Sequence, residues 1–499
     1  MRSVLVRSPY EGRRLFALLP DRVVNRSPRL MLDRCFLAML FDDRQLPSLV
    51  EQAGEVLEAH GMLDEQASAS YGEWLVVKGA VAYKQGDYAA ARHHLAEAGR
   101  YEAKLSGLIT GVQAFLQMHL KHYAGEYSAA SRHARHALAA FERARFSLGV
   151  VAVRREMARW SMRRGRGEEA SLRFQELFDL WQRDQLILTR DIALAYFFAT
   201  EDCYWQNRLS QAQVYQAAML TLATQLQDRE LIVMARVLGE FLSVMSSGSR
   251  LALHEAPVWS EAIVTPSVED LVRDLKVRIL VAATRRDLAW ENVRLLESQL
   301  NDPASQHIRI PLITYLYGYI ARGHDLDVIT PLLTETLAHA AAQEERFYQL
   351  QILALRVWQQ RQLHGQEQIG PLLEEAIQLA RETGYVRVLL DIPGLAELLP
   401  DLAPLRESAA QAAPRPAPRS DAVLTEQEVR VLALLATDRT YREIADELVI
   451  SVNTVRTHVR NIYKKLSVGR RNHAIRAARR LGLLPPAPAA EPLSGASQK

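Results

Sequence analysis

Between Val452 and Leu466 the apolar residues Val455, Val459, Ile462 and Leu466 fall at i, i+4, i+7 and i+11, one stripe along an α-helix. Asn453, Arg456, Thr457, Arg460 and Lys464 fall on the opposite face. Ser451 precedes them as an N-cap, because its hydroxyl can accept from a backbone N–H that the first turn leaves unpaired. Upstream, Tyr441 to Leu448 predicts a shorter helix. Its Ile444, Ala445 and Leu448, with Ile450 in the turn, supply the contacts that hold it across the longer one. The turn Val449-Ile450-Ser451 joins the two into a helix-turn-helix.

From Leu15 to about Leu399 the pattern is helical throughout, with few of the alternations that half-buried strands require. The helix-breaking positions recur. Gly86-Asp87-Tyr88-x-x-Ala91, Gly125-Glu126-Tyr127-x-x-Ala130 and Gly165-Arg166-Gly167-x-x-Ala170 are spaced by 39 and 40 residues, and Asn207-Arg208-Leu209-x-x-Ala212 follows 42 later. Weaker turns near Gly248, Arg286, Gly323 and Gly365 keep the rhythm. In the first clear repeat Leu75, Gly79, Gly86, Tyr88, Ala91, Leu95 and Ala98 take the positions of a tetratricopeptide helix pair. The period exceeds the usual ~34 residues, which implies longer helices or loops. A single pair cannot bury its own apolar face, so neighbours are expected to stack into a right-handed superhelix with a concave surface. Ser249 to Val268, with Pro257 and Pro266, is the least regular stretch and predicts a loop or distorted repeat.

Charge sharpens this division. The net charge of +3 conceals an asymmetry: Leu424 to Leu484 holds 12 Arg/Lys against 6 Asp/Glu, leaving residues 1–423 slightly acidic. Basic excess concentrated on one small domain is what contact with phosphates requires. Arginine in particular suits guanine edges, since its planar fork donates two parallel hydrogen bonds.

Three groups of residues carry a family resemblance for the C-terminal region. They are Leu424-Thr425-x-x-Glu428 with Glu443-Ile444-Ala445, Leu448-x-Ile450-Ser451 with Thr454-Val455-x-x-His458, and Asn461-Ile462-Tyr463-x-Lys465-Leu466 with Val468-x-x-Arg471. Residues 424–484 resemble the DNA-binding domain of LuxR-type transcription regulators. Asp438 and Tyr441 depart from it, standing where the family usually has Gly and Asn. The resemblance implies a four-helix domain in which Arg456, Thr457 and Arg460 face base edges. It implies that Thr440, Asn453, Thr454 and Lys464 contact phosphates, with His458 beside the basic face either touching phosphate or packing. It also makes Arg471 to Leu481 the dimer helix through Ala474, Ile475, Ala478 and Leu481, although the same stripe would serve internal packing.

Leu15-Phe16-x-x-Leu19-Pro20, Ser27-Pro28-Arg29-Leu30 and Gly384-Tyr385-Val386-Arg387-x-Leu389-Leu390-Asp391 resemble the superhelical sensor of MalT-like large regulators. Those proteins join an ATP-binding module, a repeat sensor and a LuxR-type C-terminus. No G-x-x-x-x-G-K-[ST] occurs in this sequence, which leaves two readings: an ATPase-free relative, or a portion truncated or encoded apart from that module. The expected fold is all-α, a tetratricopeptide-like superhelix followed by a four-helix LuxR-type helix-turn-helix domain. The expected boundaries are repeats at 1–403, a Pro/Ala-rich linker at 404–422, the DNA-binding domain at 423–484 and a disordered tail at 485–499.

Other chemistry is sparse. Cys35 and Cys203 are distant from each other in the chain, and neither has a CxxC neighbour, so both are expected reduced and inert in a cytoplasm. No eighteen-residue apolar run predicts a membrane span. His93, His94, His119, His122, His133 and His136 gather in the early repeats, but no acidic or cysteine ligand stands at diagnostic spacing, and packed or solvated histidines are expected rather than a metal. Tyr83, Tyr123, Trp160, Arg163, Arg164, Tyr204 and Trp205 fit either the concave groove or the inter-repeat core, with core favoured for the aromatics. No nucleophile–base constellation or phosphate loop suggests an enzyme, and no cofactor is expected. The sequence therefore points to a transcription regulator that takes double-stranded DNA as a homodimer, receives a small-molecule or protein effector through its repeats, and has RNA polymerase as a candidate partner. The competing class is a repeat scaffold without sequence-specific DNA binding.

Overall fold

The computed structural model describes residues 9–41, 45–62, 69–183, 189–247, 266–297, 309–366, 368–399, 426–437, 439–448, 452–465 and 470–480. Among the described residues there is no strand, in keeping with the all-α expectation. The chain forms two compact units, Met1–Ala413 and Pro414–Lys499. The expected linker at 404–422 and tail at 485–499 lie outside the described residues.

The first unit opens with α1 (Pro9–Ala17), α2 (Asp21–Val24), α3 (Pro28–Leu40) and α4 (Leu46–Ala59). Met31, Cys35, Leu46, Leu49 and Ala53 form their core with Val77 of the next helix. Four antiparallel pairs follow: α5 (Ala69–Lys84) with α6 (Tyr88–Gly99), α7 (Gly107–Tyr123) with α8 (Tyr127–Arg143), α9 (Ser147–Arg163) with α10 (Gly167–Arg183), and α11 (Arg190–Trp205) with α12 (Leu209–Gln225). The array continues through α13 (Arg229–Ser247), α14 (Pro266–Ala282), α15 (Arg286–Val293), α16 (Arg309–Arg322), α17 (Thr330–Ala342), α18 (Arg346–His364) and α19 (Gly370–Thr383), ending in the short α20 (Arg387–Leu390). Most of the irregular stretch expected at Ser249 to Val268 lies outside the described residues, but α14 begins at Pro266, where a proline needs no amide partner. Gly248 also lies outside them.

The long period has a simple origin. Helices of 17 residues joined by three-residue turns fill a 40-residue repeat. At the turns an amide reaches the carbonyl five residues earlier: Asp87 to Ala82 at 2.9 Å, Glu126 to Lys121 at 2.9 Å, Arg166 to Ser161 at 2.9 Å and Arg208 to Cys203 at 2.8 Å. That bond needs a left-handed residue just before it, supplied by Gly86, Gly125, Gly165 and Asn207 at φ 80°, 73°, 69° and 64°. Arg145, Gln227 and Glu344, at φ 53–54°, make the same turn between successive pairs without glycine. Within a pair, close approach decides the residue. A Cβ on Gly79 would come 2.8 Å from Cγ of Leu95, so only glycine lets α5 lie this near α6.

The array also meets itself. Helix α9 packs on α18, and α11 on α20, across a long stretch of sequence. Tyr385 donates its hydroxyl to Asp202 at 2.8 Å, and Ser171 and Gln206 donate to the other carboxylate oxygen at 2.6 and 2.8 Å. Arg387 donates to Asn207 at 3.0 Å, pairs with Asp391 at 3.0 Å and lies over the Tyr204 ring at 4.7 Å, while Tyr204 donates to Asp391. The Gly384–Asp391 string is therefore the clasp that joins the last repeats to the middle ones. Burial raises the Asp202 carboxyl to about 6, against the hydrogen bonds that favour its ionised form.

Candidate nucleic-acid interface

The second unit comprises α21 (Glu426–Leu435), α22 (Tyr441–Leu448), α23 (Val452–Lys465) and α24 (Arg471–Arg480). Among the described residues its core is apolar: Val431, Leu432 and Leu435 of α21, Ile444 and Ala445 of α22, Val455, Val459 and Ile462 of α23, and Ala474, Ile475 and Ala478 of α24. The stripe on α23 thus faces inward, which turns the opposite face to solvent. Thr454, Arg456, Thr457 and Arg460 are exposed there, while His458 is half-buried. The backbone of Asn453 and Lys464 belongs to the same helix, but their side chains lie outside the described ones. Ser451, Ile450, Asp438 and Leu466 also lie outside the described residues.

Thr440 has a different immediate job from the phosphate contact the resemblance implies. Its amide and hydroxyl donate to Oε2 of Glu443 at 2.7 and 2.8 Å, and the Glu443 amide returns to its Oγ1 at 3.4 Å. This reciprocal box caps α22, and the bonds from Thr440 hold the Glu443 carboxyl below the usual range. The T-x-x-E spacing from Thr440 to Glu443 is legible in the sequence and was the missed signal. Arg439, just before α22, pairs with Glu447 in its last turn.

Two further residues hold the frame. Nε and Nη2 of Arg471 donate to the Leu435 carbonyl at 3.1 and 2.7 Å, placing a cation at the C-terminal end of α21, where the helix dipole favours it. Tyr441, which departs from the family pattern, packs against the core beside Tyr463. Burial and the neighbouring Tyr441 raise the Tyr463 hydroxyl to about 12. The expected dimer stripe needs correction: Ala474, Ile475 and Ala478 are 0%, 8% and 0% exposed within this chain's own core, so they are not free for a partner. Leu481 lies outside the described residues.

Comparison with known proteins bears on the same segment. Residues 422–478 match the family described as bacterial regulatory proteins, luxR family. The C-terminal segment is a LuxR-family domain. The HTH-type transcriptional regulator MalT of Yersinia pestis (strain Pestoides F) is 41% identical over 58 residues, and its counterparts in Yersinia pseudotuberculosis serotype O:1b (strain IP 31758) and Yersinia pestis bv. Antiqua (strain Antiqua) match to the same degree. That match covers 12% of this chain and 6% of each relative's length. It lies in the LuxR-family domain, and the helical unit before it is consistent with a MalT-like sensor.

In the repeats, the structure sorts the remaining candidates. Tyr204 and Trp205 are buried, Tyr204 in the clasp, while Tyr83 meets Tyr88 and Tyr123 in an aromatic cluster. His122 stacks on Trp160, and burial followed by nearby Arg163 lowers its imidazole to about 2, so it is neutral. His93 and His94 do have an acidic neighbour that spacing alone did not single out: Glu97, one turn on, brings the three sets of ligand atoms within 4.8 Å of one another on a solvent-facing turn. Among the described residues no helix is long and apolar enough to cross a membrane.

Proposed function

We propose that this protein is a cytoplasmic transcription regulator that binds specific promoter DNA through α23 and receives an effector through its helical repeats. The observation that carries the reading is the division of α23: Val455, Val459 and Ile462 are consumed by the core, leaving Arg456, Thr457 and Arg460 exposed together within the LuxR-family segment. In a helix-turn-helix that face enters the major groove. Arg456 and Arg460, about one turn apart, then reach base edges with Thr457 between them. Asn453, Thr454 and Lys464 flank them toward the phosphates. Thr440 has its amide and hydroxyl engaged with Glu443, and the Glu443 amide is engaged in return, so this end of α22 would meet a phosphate only through the amides of Tyr441 and Arg442. Two copies related by a two-fold axis would read inverted half-sites, with contacts from α24 other than its buried stripe. RNA polymerase is the natural further partner of such a regulator, and the chain needs no catalytic activity for this role.

The test is a footprint of the purified protein on genomic fragments, compared with an Arg456→Ala/Arg460→Ala variant whose helicity is checked by circular dichroism. A protected, sequence-specific site that the folded variant loses supports the reading. A folded wild-type protein that protects no sequence in preference to random DNA would return the chain to the scaffold class.

A further inference from the structure

Five helices of the repeat unit, α9, α11, α14, α16 and α18, line a half-open cavity of about 60 Å³. Its apolar wall comes from Met162, Leu271, Ile310 and Ile313, with the rings of Phe198 and Trp205. Its polar wall holds donors and one acceptor carboxylate. Arg159, Arg163 and Arg278 line it alongside Gln351, Asp274 and Glu201.

The three guanidiniums are held differently. Arg159 lies 4.0 Å over the Phe198 ring and meets Glu156 at 3.1 Å. Arg278 is 6% exposed, lies between the Trp205 and Tyr317 rings at 5.0 and 4.9 Å, and engages Asp274 through Nε at 2.8 Å. That geometry leaves its terminal nitrogens for another acceptor. Arg163 has neutral direct partners, the His122 ring nitrogen at 3.0 Å and the Tyr348 ring at 5.7 Å, with the carboxylates of Glu345 and Glu156 acting on it from nearby. Aromatic faces fix all three planes without satisfying their N–H groups. On the acidic side, Asp274 also accepts from Thr314 at 2.7 Å. Burial and nearby Asp274 raise Glu201 to about 8, so at neutral pH its carboxyl is mainly protonated and donates rather than accepts. The lining thus carries three guanidiniums and a protonated Glu201 against the single carboxylate of Asp274, so donors outnumber acceptors there, while Glu156 and Glu345 beside Arg159 and Arg163 offset part of the positive charge.

We propose that this cavity binds a small monocarboxylate with a short apolar body, its carboxylate on Arg163 and the free nitrogens of Arg278 and its body against the aliphatic wall. Arginine's fork matches a carboxylate bidentately. The size agrees: one water needs roughly 10–15 Å³, so the cavity suits a molecule of about four to six heavy atoms. Bare phosphate would fill it too, but would leave the apolar wall against charged oxygens. That such a ligand acts as the effector rests on the regulator reading above; that it binds does not.

The test uses the full chain and butyrate, propionate, butyramide and inorganic phosphate as probes, titrated calorimetrically at matched ionic strength without DNA. The expected result is saturable binding of the two acids at one site per chain and none of butyramide. Arg163→Gln should weaken it about tenfold or more, as loss of a charge-assisted hydrogen bond does. If that variant misfolds by circular dichroism, Gln351→Met and Ile313→Phe, which alter the wall and the volume, should weaken binding instead. Failure of both acids to bind the folded chain overturns the site, and phosphate binding as tightly as butyrate overturns the monocarboxylate assignment. Repeating the DNA footprint with butyrate separates the two readings. A site that binds acid without changing DNA affinity sinks the effector role alone, whereas absent DNA binding with intact acid binding sinks the regulator reading alone.

Discussion

In the repeat unit Glu156, Arg278, Arg387 and Asp391 lie inside the packed helices, at 4%, 6%, 6% and 6% side-chain or residue exposure. In the LuxR-family domain the described core holds no charged side chain, and Arg456 and Arg460 stand in solvent. The two units use the same residue types for opposite ends. Charge buried in pairs contributes little net stability, but it penalises any arrangement that separates the pair. In the repeats the helix faces are generic Ala and Leu surfaces, so the clasp of Arg387, Asp391, Asp202 and Tyr385 is what singles out one way of bringing α20 onto α11. An exposed guanidinium fixes nothing in the fold and remains available to a polyanion. The two units can also be followed apart, because all seven tryptophans precede Pro414 and their emission reports on the repeats alone.

The largest effect is expected from Val455→Asp. Val455 is fully buried, and a carboxylate there has no partner in an apolar core. The loss should exceed about 4 kcal/mol and unfold the small domain. Specific DNA binding should vanish while the tryptophan-detected urea midpoint stays in place. A shift of that midpoint would show that the units are not independent.

Next comes Arg387→Ala, which strands Asp391 in the clasp. Breaking a buried pair from one side costs about 3–5 kcal/mol. Here the tryptophan-detected midpoint should fall, and the affinity of the C-terminal domain for random-sequence DNA should hold. If the midpoint does not move, the clasp contributes nothing to the stability of the repeats.

Much of this was readable from the sequence, for reasons that differ between the units. The α23 stripe was legible because a two-sided helix in a small domain has one core to face, and Val455, Val459 and Ile462 all went there. Repeat turns were legible where glycine marks the left-handed residue. They were not at Arg145, Gln227 and Glu344, where the same backbone carries ordinary side chains. The Gly384–Asp391 string was visible as a resemblance, but its contacts join residues some 180 positions apart, as Arg387 to Asn207 does, and no local pattern encodes that. The α24 stripe was ambiguous for a related reason: periodicity reports that a face is buried, not what buries it. Of the cavity wall, only Arg163 and Trp205 were singled out beforehand, because its residues come from five separate helices.

A smaller effect separates the roles along α23. Arg456→Ala should cost about 1–3 kcal/mol at the preferred site and blur base preference there. Lys464→Ala, a further turn along, should weaken all sequences alike and lower the salt slope by about one. Affinities for specific and random DNA across a salt series distinguish them. An Arg456→Ala protein that keeps its fold, affinity and preference would mean that the reading face is wrongly assigned.

A pH-graded effect tests buried charge in the repeats directly, through Glu201. Burial, and then nearby Asp274, raise its carboxyl to about 8, against Arg159 and Arg278. The folded state therefore keeps a proton that the unfolded chain releases near the ordinary glutamate range. That contribution is complete below the unfolded value and is lost as pH rises through about 8. The slope from this group is at most about 1.4 kcal/mol per pH unit. Glu201→Gln removes the titration while keeping the shape, so its tryptophan-detected midpoint should fall less than that of the wild type between about pH 5 and pH 8.5. The two profiles should run parallel only below the ordinary glutamate range, because between that range and about pH 8 Glu201 contributes a slope to the wild type alone. Burial lowers His119 to about 4, so stability falls as pH drops from the ordinary histidine value through that range, and the substitution leaves this group in place. Parallel alkaline limbs would mean that Glu201 is ionised in the folded state, and the cavity would then have an acceptor where a donor is proposed. The DNA-binding domain has no share in this outcome, because its residues carry no tryptophan.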